Sequence, residues 1–216
     1  MKNNYFLILL TSLAIVSCKT SPLVMYEEIS NRNNSTTINS IDLRTNTSIP
    51  LNTESKFKLK LKDSILIYGI EDTLYSNYQK IKFNAESNKE YEISVFSFCD
   101  CFGFDKYMFV PKIKVFNSKG DELNTNLIIN EVDYLYIAKP ISYNKRWIIN
   151  DNIEGEIIIV VYSDNSKLKK KVHNLIIPLV GIPYKIQSTL VGKFIITVGE
   201  KNETVRPDKW YLGNAN

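Results

Sequence analysis

Apolar and polar residues alternate with period two along much of this chain. "KFKLKLKDSILIYGI", residues 56–70, sets Phe57, Leu59 and Leu61 against Lys56, Lys58, Lys60 and Lys62. One dry face and one wet face is the pattern of a half-buried strand. Further alternating runs are "QKIKFNA" (79–85), "YEISVFSF" (91–98), "PKIKVFN" (111–117), "DYLYIAK" (133–139) and "GKFIITVG" (192–199). "GEIIIVVYS" (155–163) is apolar almost throughout and predicts a central strand buried on both faces. "HNLIIPLVG" (173–181) is a weaker strand signal, because Pro178 has no N–H to give to a ladder. Asn88-Lys89 and "SKGDE" supply turns. A short helix is predicted over "SDNSKLKKKV" (163–172), capped by Ser163 or Asp164. Short strands with turns between them predict an all-β fold, an antiparallel jelly-roll-like β-sandwich with one short helix.

The lysines of 56–62 allow two readings. They form a basic stripe for anionic lipid headgroups or glycans, or they guard an edge strand against unwanted pairing. The guarded edge is the simpler of the two. Residues 19–55 are rich in Asn, Ser and Thr, and their apolar residues do not recur at helical spacing. They predict a tether running into an irregular segment, with a short strand near Ile38 to Leu43. Such a tether lets a folded body stand off from its anchor.

The N-terminus changes the picture of where the chain resides. Lys2 precedes an almost wholly apolar stretch from Tyr5 to Val16. That stretch is of signal-peptide length and shorter than the roughly 20 residues that span a bilayer. It ends Ile15-Val16-Ser17-Cys18, which resembles a bacterial lipobox: an aliphatic residue, a tolerant position, a small residue, then the cysteine. The resemblance implies cleavage before Cys18 and acylation of its thiol and new amino group. Several acyl chains hold a protein on a bilayer stably where one is marginal. The expected organisation is a signal peptide over 1–17, a lipidated tether and irregular segment over 18–55, and a β-sandwich over 56–216. Lys19 stands where an Asp would favour inner-membrane retention, so the expected location is the outer membrane of a bacterial envelope.

Charge adds an exclusion. The chain has 27 Lys+Arg against 23 Asp+Glu, and losing residues 1–17 removes only Lys2, leaving a net charge of +3. So mild a balance argues against nucleic acid as a partner. Hydrophobic residues make up 44%, enough for a packed core.

Chemistry-bearing residues are sparse. Cys99 and Cys101 are two apart and would point the same way on a strand. They are free or weakly bridged thiols in a loop, a structural disulfide, or a redox or metal pair. His173 is the only histidine, which leaves a metal site short of ligands. It reads as a surface or loop residue. No nucleophile, base and orienter come together in the sequence, and Asp121, Glu122, Asp100 and Asp105 sit in turn contexts. We therefore expect no catalytic residues, metal or cofactor, and no enzyme. The stretch with binding character is "DYLYIAKPISYNKRW" (133–147). Tyr134, Tyr136, Tyr143 and Trp147 lie near Lys139, Lys145 and Arg146 there. Tyr134, Tyr136, Tyr143, Arg146 and Trp147 are the candidate contacts for a saccharide or an envelope protein, because aromatic faces with nearby donors suit both. The competing reading packs them into the sandwich. Trp210 and Tyr211, in the last residues, either fold over the core or make a contact.

Three blocks in order carry a family resemblance: "MFVPKIKVFNSKGDEL", then "GEIIIVVYSDNSKLKKKV", then "GIPYKIQSTLVGKFIITV". With "ILIYGIEDTLYSNYQKIKFNAESNKEYEISVFS" before them, residues 60 to 199 resemble the MalM-like family, periplasmic proteins of maltose operons. The resemblance implies an exported β-sandwich and a link to carbohydrate transport, and it brings no catalytic motif. The lipobox departs from the plain signals of many members. "IKFNAESNKEYEISVFS" followed by "PKIKVFNSKGDEL" also resembles the jelly-roll modules found beside secreted peptidases, which bind or support and do not catalyse. The expected function is a membrane-anchored envelope lipoprotein whose sandwich binds a saccharide or a partner protein. The alternative is a scaffolding lipoprotein with no small-molecule ligand.

Overall fold

The computed structural model describes residues 20–69, 72–99, 106–133, 141–168, 171–176 and 183–201. The expected signal peptide, Cys18, Cys101, Tyr134, Tyr136, Lys139, Trp210 and Tyr211 lie outside them.

The chain is all-β. In order, the strands are β1 (Ser35–Thr37), β2 (Ser55–Leu59), β3 (Ile65–Tyr68), β4 (Leu74–Ala85), β5 (Tyr91–Phe98), β6 (Tyr107–Met108) and β7 (Pro111–Asn117). Then come β8 (Thr125–Asp133), β9 (Ser142–Ile149), β10 (Gly155–Ser163), β11 (Lys171–Ile176), β12 (Pro183–Ser188) and β13 (Gly192–Glu200). Two five-stranded sheets, β1-β3-β4-β10-β7 and β2-β13-β5-β9-β8, face each other across the core. A small sheet, β11-β12-β6, completes the set. β4, β5 and β7 alternate between the two large sheets, the interleaved winding of a jelly roll. β8 hangs on the outer edge of β9. Two edge pairings, β1 with β3 and β12 with β6, are parallel, so those two sheets are mixed, while β2-β13-β5-β9-β8 is antiparallel throughout.

The alternation read from the sequence is what fills the core. Ile93 and Val95 of β5, Trp147 and Ile149 of β9, and Phe194, Ile196 and Val198 of β13 point inward from one sheet. Ile81 and Phe83 of β4 and Ile157, Ile159 and Val161 of β10 meet them from the other. The Phe194 ring stacks on Phe57 at 5.5 Å and meets Phe109 edge-on at 5.6 Å. β10 is central, between β4 and β7, and every residue from Ile157 to Ser163 is buried.

Two expectations are corrected. The segment read as a tether is part of the body. Helix α1 (Pro22–Ser30) opens on Ser21, whose hydroxyl accepts from the Leu23 N–H at 3.4 Å, with Pro22 in its first turn. Its Ile29 is fully buried against Ile65 and Leu190. Ile38, Ile41 and Leu43 then cover Leu66, Tyr68, Phe116, Val160 and Tyr162 on the outer face of the first sheet. That face is apolar, and the segment is what keeps it from water. The expected helix over 163–172 is a single 3-10 turn, Asn165–Lys167, and the chain is a strand again from Lys171. Its run of three lysines offers no apolar stripe for a helix to bury. The strand expected over 133–139 lies, after Asp133, outside the described residues; the described strands on either side are β8, through Asp133, and β9, from Ser142. Adjacent Leu127 and Ile128 break the alternation of β8, and the register with β9 shifts between Leu127 and Ile129.

Candidate functional site

Of the residues expected to form a binding surface, the three described, Tyr143, Arg146 and Trp147, do not converge. Tyr143 and Trp147 are buried, at 8% and 7% exposure. Trp147 belongs to the main core. Tyr143 packs with Met108, Val110 and Ile186, and its hydroxyl hydrogen-bonds the Asn130 side-chain oxygen at 2.9 Å. The Lys145 ammonium lies 5.7 Å from the centre of the Tyr143 ring. Alternation turns Arg146 to the opposite face of β9. There its Nε donates to Ser94 Oγ at 3.1 Å and its Nη1 stands 3.4 Å from Glu92 Oε2. Glu92 and Ser94 are themselves buried, so this is an internal charge pair. Tyr143 and Trp147 are core, and Arg146 is spoken for. Burial holds the Tyr143 phenol protonated above its ordinary range, with the nearby Asp164 carboxylate adding to the effect. His173 lies in β11, and its side chain is outside the described set.

Cys99, just past β5, is disulfide-bonded. It lines a cleft of about 340 Å³ at one end of the sandwich, with Thr20, Met25, Lys58, Phe98 and Lys193 among its walls. Several elements build it. α1 brings Met25, the last residue of β5 brings Phe98, and paired strands β2 and β13 bring the two lysines. Lys58 and Lys193 are direct cross-strand partners in that antiparallel pair. Both are exposed. Like charges opposite one another are unfavourable. Among the described residues neither is ion-paired. Gly192 sits in the same wall, where a Cβ would come 2.9 Å from the Phe109 ring. β2 is an edge strand, so its lysines do guard an edge. The cleft is what sequence reading missed, because its described walls come from residues far apart in the chain: 20, 25, 58, 98, 99, 107, 189 and 191–193.

Beneath this end lies a buried polar network. The Tyr68 hydroxyl donates to the Ser163 carbonyl at 2.9 Å and accepts from the Asn165 N–H at 2.6 Å. Ser163 Oγ donates to the Thr189 carbonyl at 2.9 Å. Burial pushes the Tyr68 phenol well above its ordinary value. At Asp164, burial alone would raise the carboxyl, but the Ser166 hydrogen bond and the cations Lys112 and Lys145 outweigh it and hold it low. Among the described residues no cluster of His, Cys, Asp and Glu could hold a metal. No described helix is long and apolar enough to cross a membrane. In comparisons with protein-family models, curated proteins and solved structures, nothing matches this chain.

Proposed function

We propose that this chain is a lipoprotein of a bacterial envelope, held at a membrane by acylated Cys18, whose jelly-roll sandwich serves as a non-catalytic scaffold. The sequence supports the anchor: a charged start, an apolar stretch and Ile15-Val16-Ser17-Cys18. One observation carries the scaffold reading over saccharide binding. Tyr143 and Trp147, which a sugar platform needs in the open, are buried in the core. A sugar ring stacks on an exposed aromatic face, and these faces are already occupied by protein.

Mass spectrometry of the membrane-extracted full chain tests the anchor. We expect residues 1–17 to be absent and Cys18 to be the acylated first residue. Cys18→Ala is expected to move the protein from the membrane to the soluble fraction. An unmodified Cys18 in the native protein would overturn the anchor. A glycan array probed with the soluble Cys18→Ala chain tests the second half, and saturable binding there would restore the saccharide reading.

A further inference from the structure

We infer that the cleft end of the sandwich is the membrane-facing surface, and that Lys58 and Lys193 contact the phosphates of anionic lipid headgroups. This rests on acylation of Cys18. Only Lys19 separates Cys18 from Thr20. Two residues of extended chain reach about 7 Å at most, so the anchor point cannot lie further than that from a residue lining the cleft. No slack follows either, because α1 starts at Pro22 and its Ile29 is locked into the core. A lipid at Cys18 therefore holds the body against the bilayer with this end down.

The charges at this end fit that placement. Lys58 and Lys193 face each other across β2 and β13 without an acidic partner among the described residues. Two cations side by side are relieved by a shared anion. A membrane of acidic phospholipid offers phosphates at high density within a Debye length of about 8 Å. Met25 and Phe98 add apolar wall to the cleft that the two lysines line, and a lysine stem can rest on apolar surface while its ammonium group reaches the headgroups. Among the described residues the opposite end carries no such arrangement. There Lys89 is bound by Glu86 and Glu200, and Lys201 by Glu90.

The test is lysine acetylation of the full-length lipidated chain, read by peptide mass spectrometry. The chain is reconstituted in vesicles of phosphatidylcholine containing one-third phosphatidylglycerol, and separately in neutral detergent. Lys119, in the turn after β7, is the internal reference. Lys58 and Lys193 are expected to react at least about fivefold more slowly in vesicles than in detergent, while Lys119 is unchanged. The same spectra report Cys18. If Cys18 is unmodified, the anchor reading fails. If Cys18 is acylated and the two lysines react alike in vesicles and detergent, the orientation fails and the anchor stands. A third arm adds millimolar inorganic phosphate to the detergent sample. Equal protection there would assign the site to a free anion and overturn the lipid contact. In the Cys18→Ala background, which carries no lipid, Lys58→Gln with Lys193→Gln removes the cations and is expected to lower the fraction bound to acidic vesicles, but not neutral ones.

Discussion

The two ends of the sandwich use the same residue type in opposite ways. Strand β13 runs between them, from Gly192 opposite Leu59 to Glu200 opposite Tyr91. At its far end the lysines are bound within the molecule: Lys89 2.8 Å from Glu86 and also on Glu200, Lys201 2.6 Å from Glu90. At its near end Lys58 and Lys193 stand side by side over a cleft. An isolated domain gains nothing from two adjacent cations with no acidic partner among the described residues. The contrast is between a far end where Lys89 and Lys201 are neutralised within the molecule and a near end where, on our proposal, two cations meet a negative surface outside it.

The sharpest way to break the contrast is to loosen the near end without touching its charges. Ile29 is fully buried and pins α1 to Ile65 and Leu190. Ile29→Ala is expected to cost about 2–5 kcal/mol, read as a lower urea midpoint. It also gives the anchor slack. Hydrogen exchange across 22–30 is expected to rise, and Lys58 and Lys193 are expected to lose their protection in vesicles while Cys18 stays acylated. Unchanged protection would mean that α1 does not set the orientation.

The buried network under the near end gives the next effect. Tyr68→Phe strands the Asn165 N–H and removes the donor to Ser163, at a cost of about 1–3 kcal/mol. The pH dependence follows from the raised phenol. Its stabilisation is complete below about pH 10, where the unfolded phenol is also neutral, and is lost as pH rises beyond that. Tyr68→Phe is therefore expected to flatten the alkaline limb of the stability curve. Asp164 has the opposite sign. Its lowered carboxyl stabilises above about pH 4 and loses that contribution as pH falls through the folded value, so Asp164→Asn is expected to flatten the acid limb. Thermal melts between pH 2 and 11 check both.

The fold was legible wherever one element sets its own pattern. "YEISVFSF", "PKIKVFN" and "GEIIIVVYS" are β5, β7 and β10 residue for residue, because each alternates or is wholly apolar between turns. Residues 20–55 misled, since their ordering depends on another surface. Leu43 and Ile41 are isolated apolar residues in a polar segment, and only the outer face of the first sheet explains them. The Ser21-Pro22 start of α1 was readable as a cap, but nine residues with a weak apolar stripe gave it no support. The candidate site fared worst. Aromatics near cations in "DYLYIAKPISYNKRW" looked like a surface, yet strand alternation sent Tyr143 and Trp147 inward and Arg146 to the other face. The cleft draws on four distant stretches, and no local pattern records that.

The smallest effect is the most telling, because its sign separates a structural role from a membrane role. Lys58→Glu places an acid opposite Lys193 and replaces repulsion with attraction across β2 and β13. Melting of the soluble Cys18→Ala chain at low salt is expected to show a gain of about 0.2–1 kcal/mol. The same change puts a negative charge against acidic headgroups, so binding of that chain to phosphatidylglycerol vesicles is expected to fall and the protection of Lys193 in the lipidated chain to disappear. At the far end, Lys89→Ala is expected to move the melting temperature by no more than about a degree and to leave vesicle binding unchanged, since exposed ion pairs contribute little. A residue kept only to guard the β2 edge would show the stability gain with no change at the membrane. Gain in one assay and loss in the other is what a surface built for a bilayer requires.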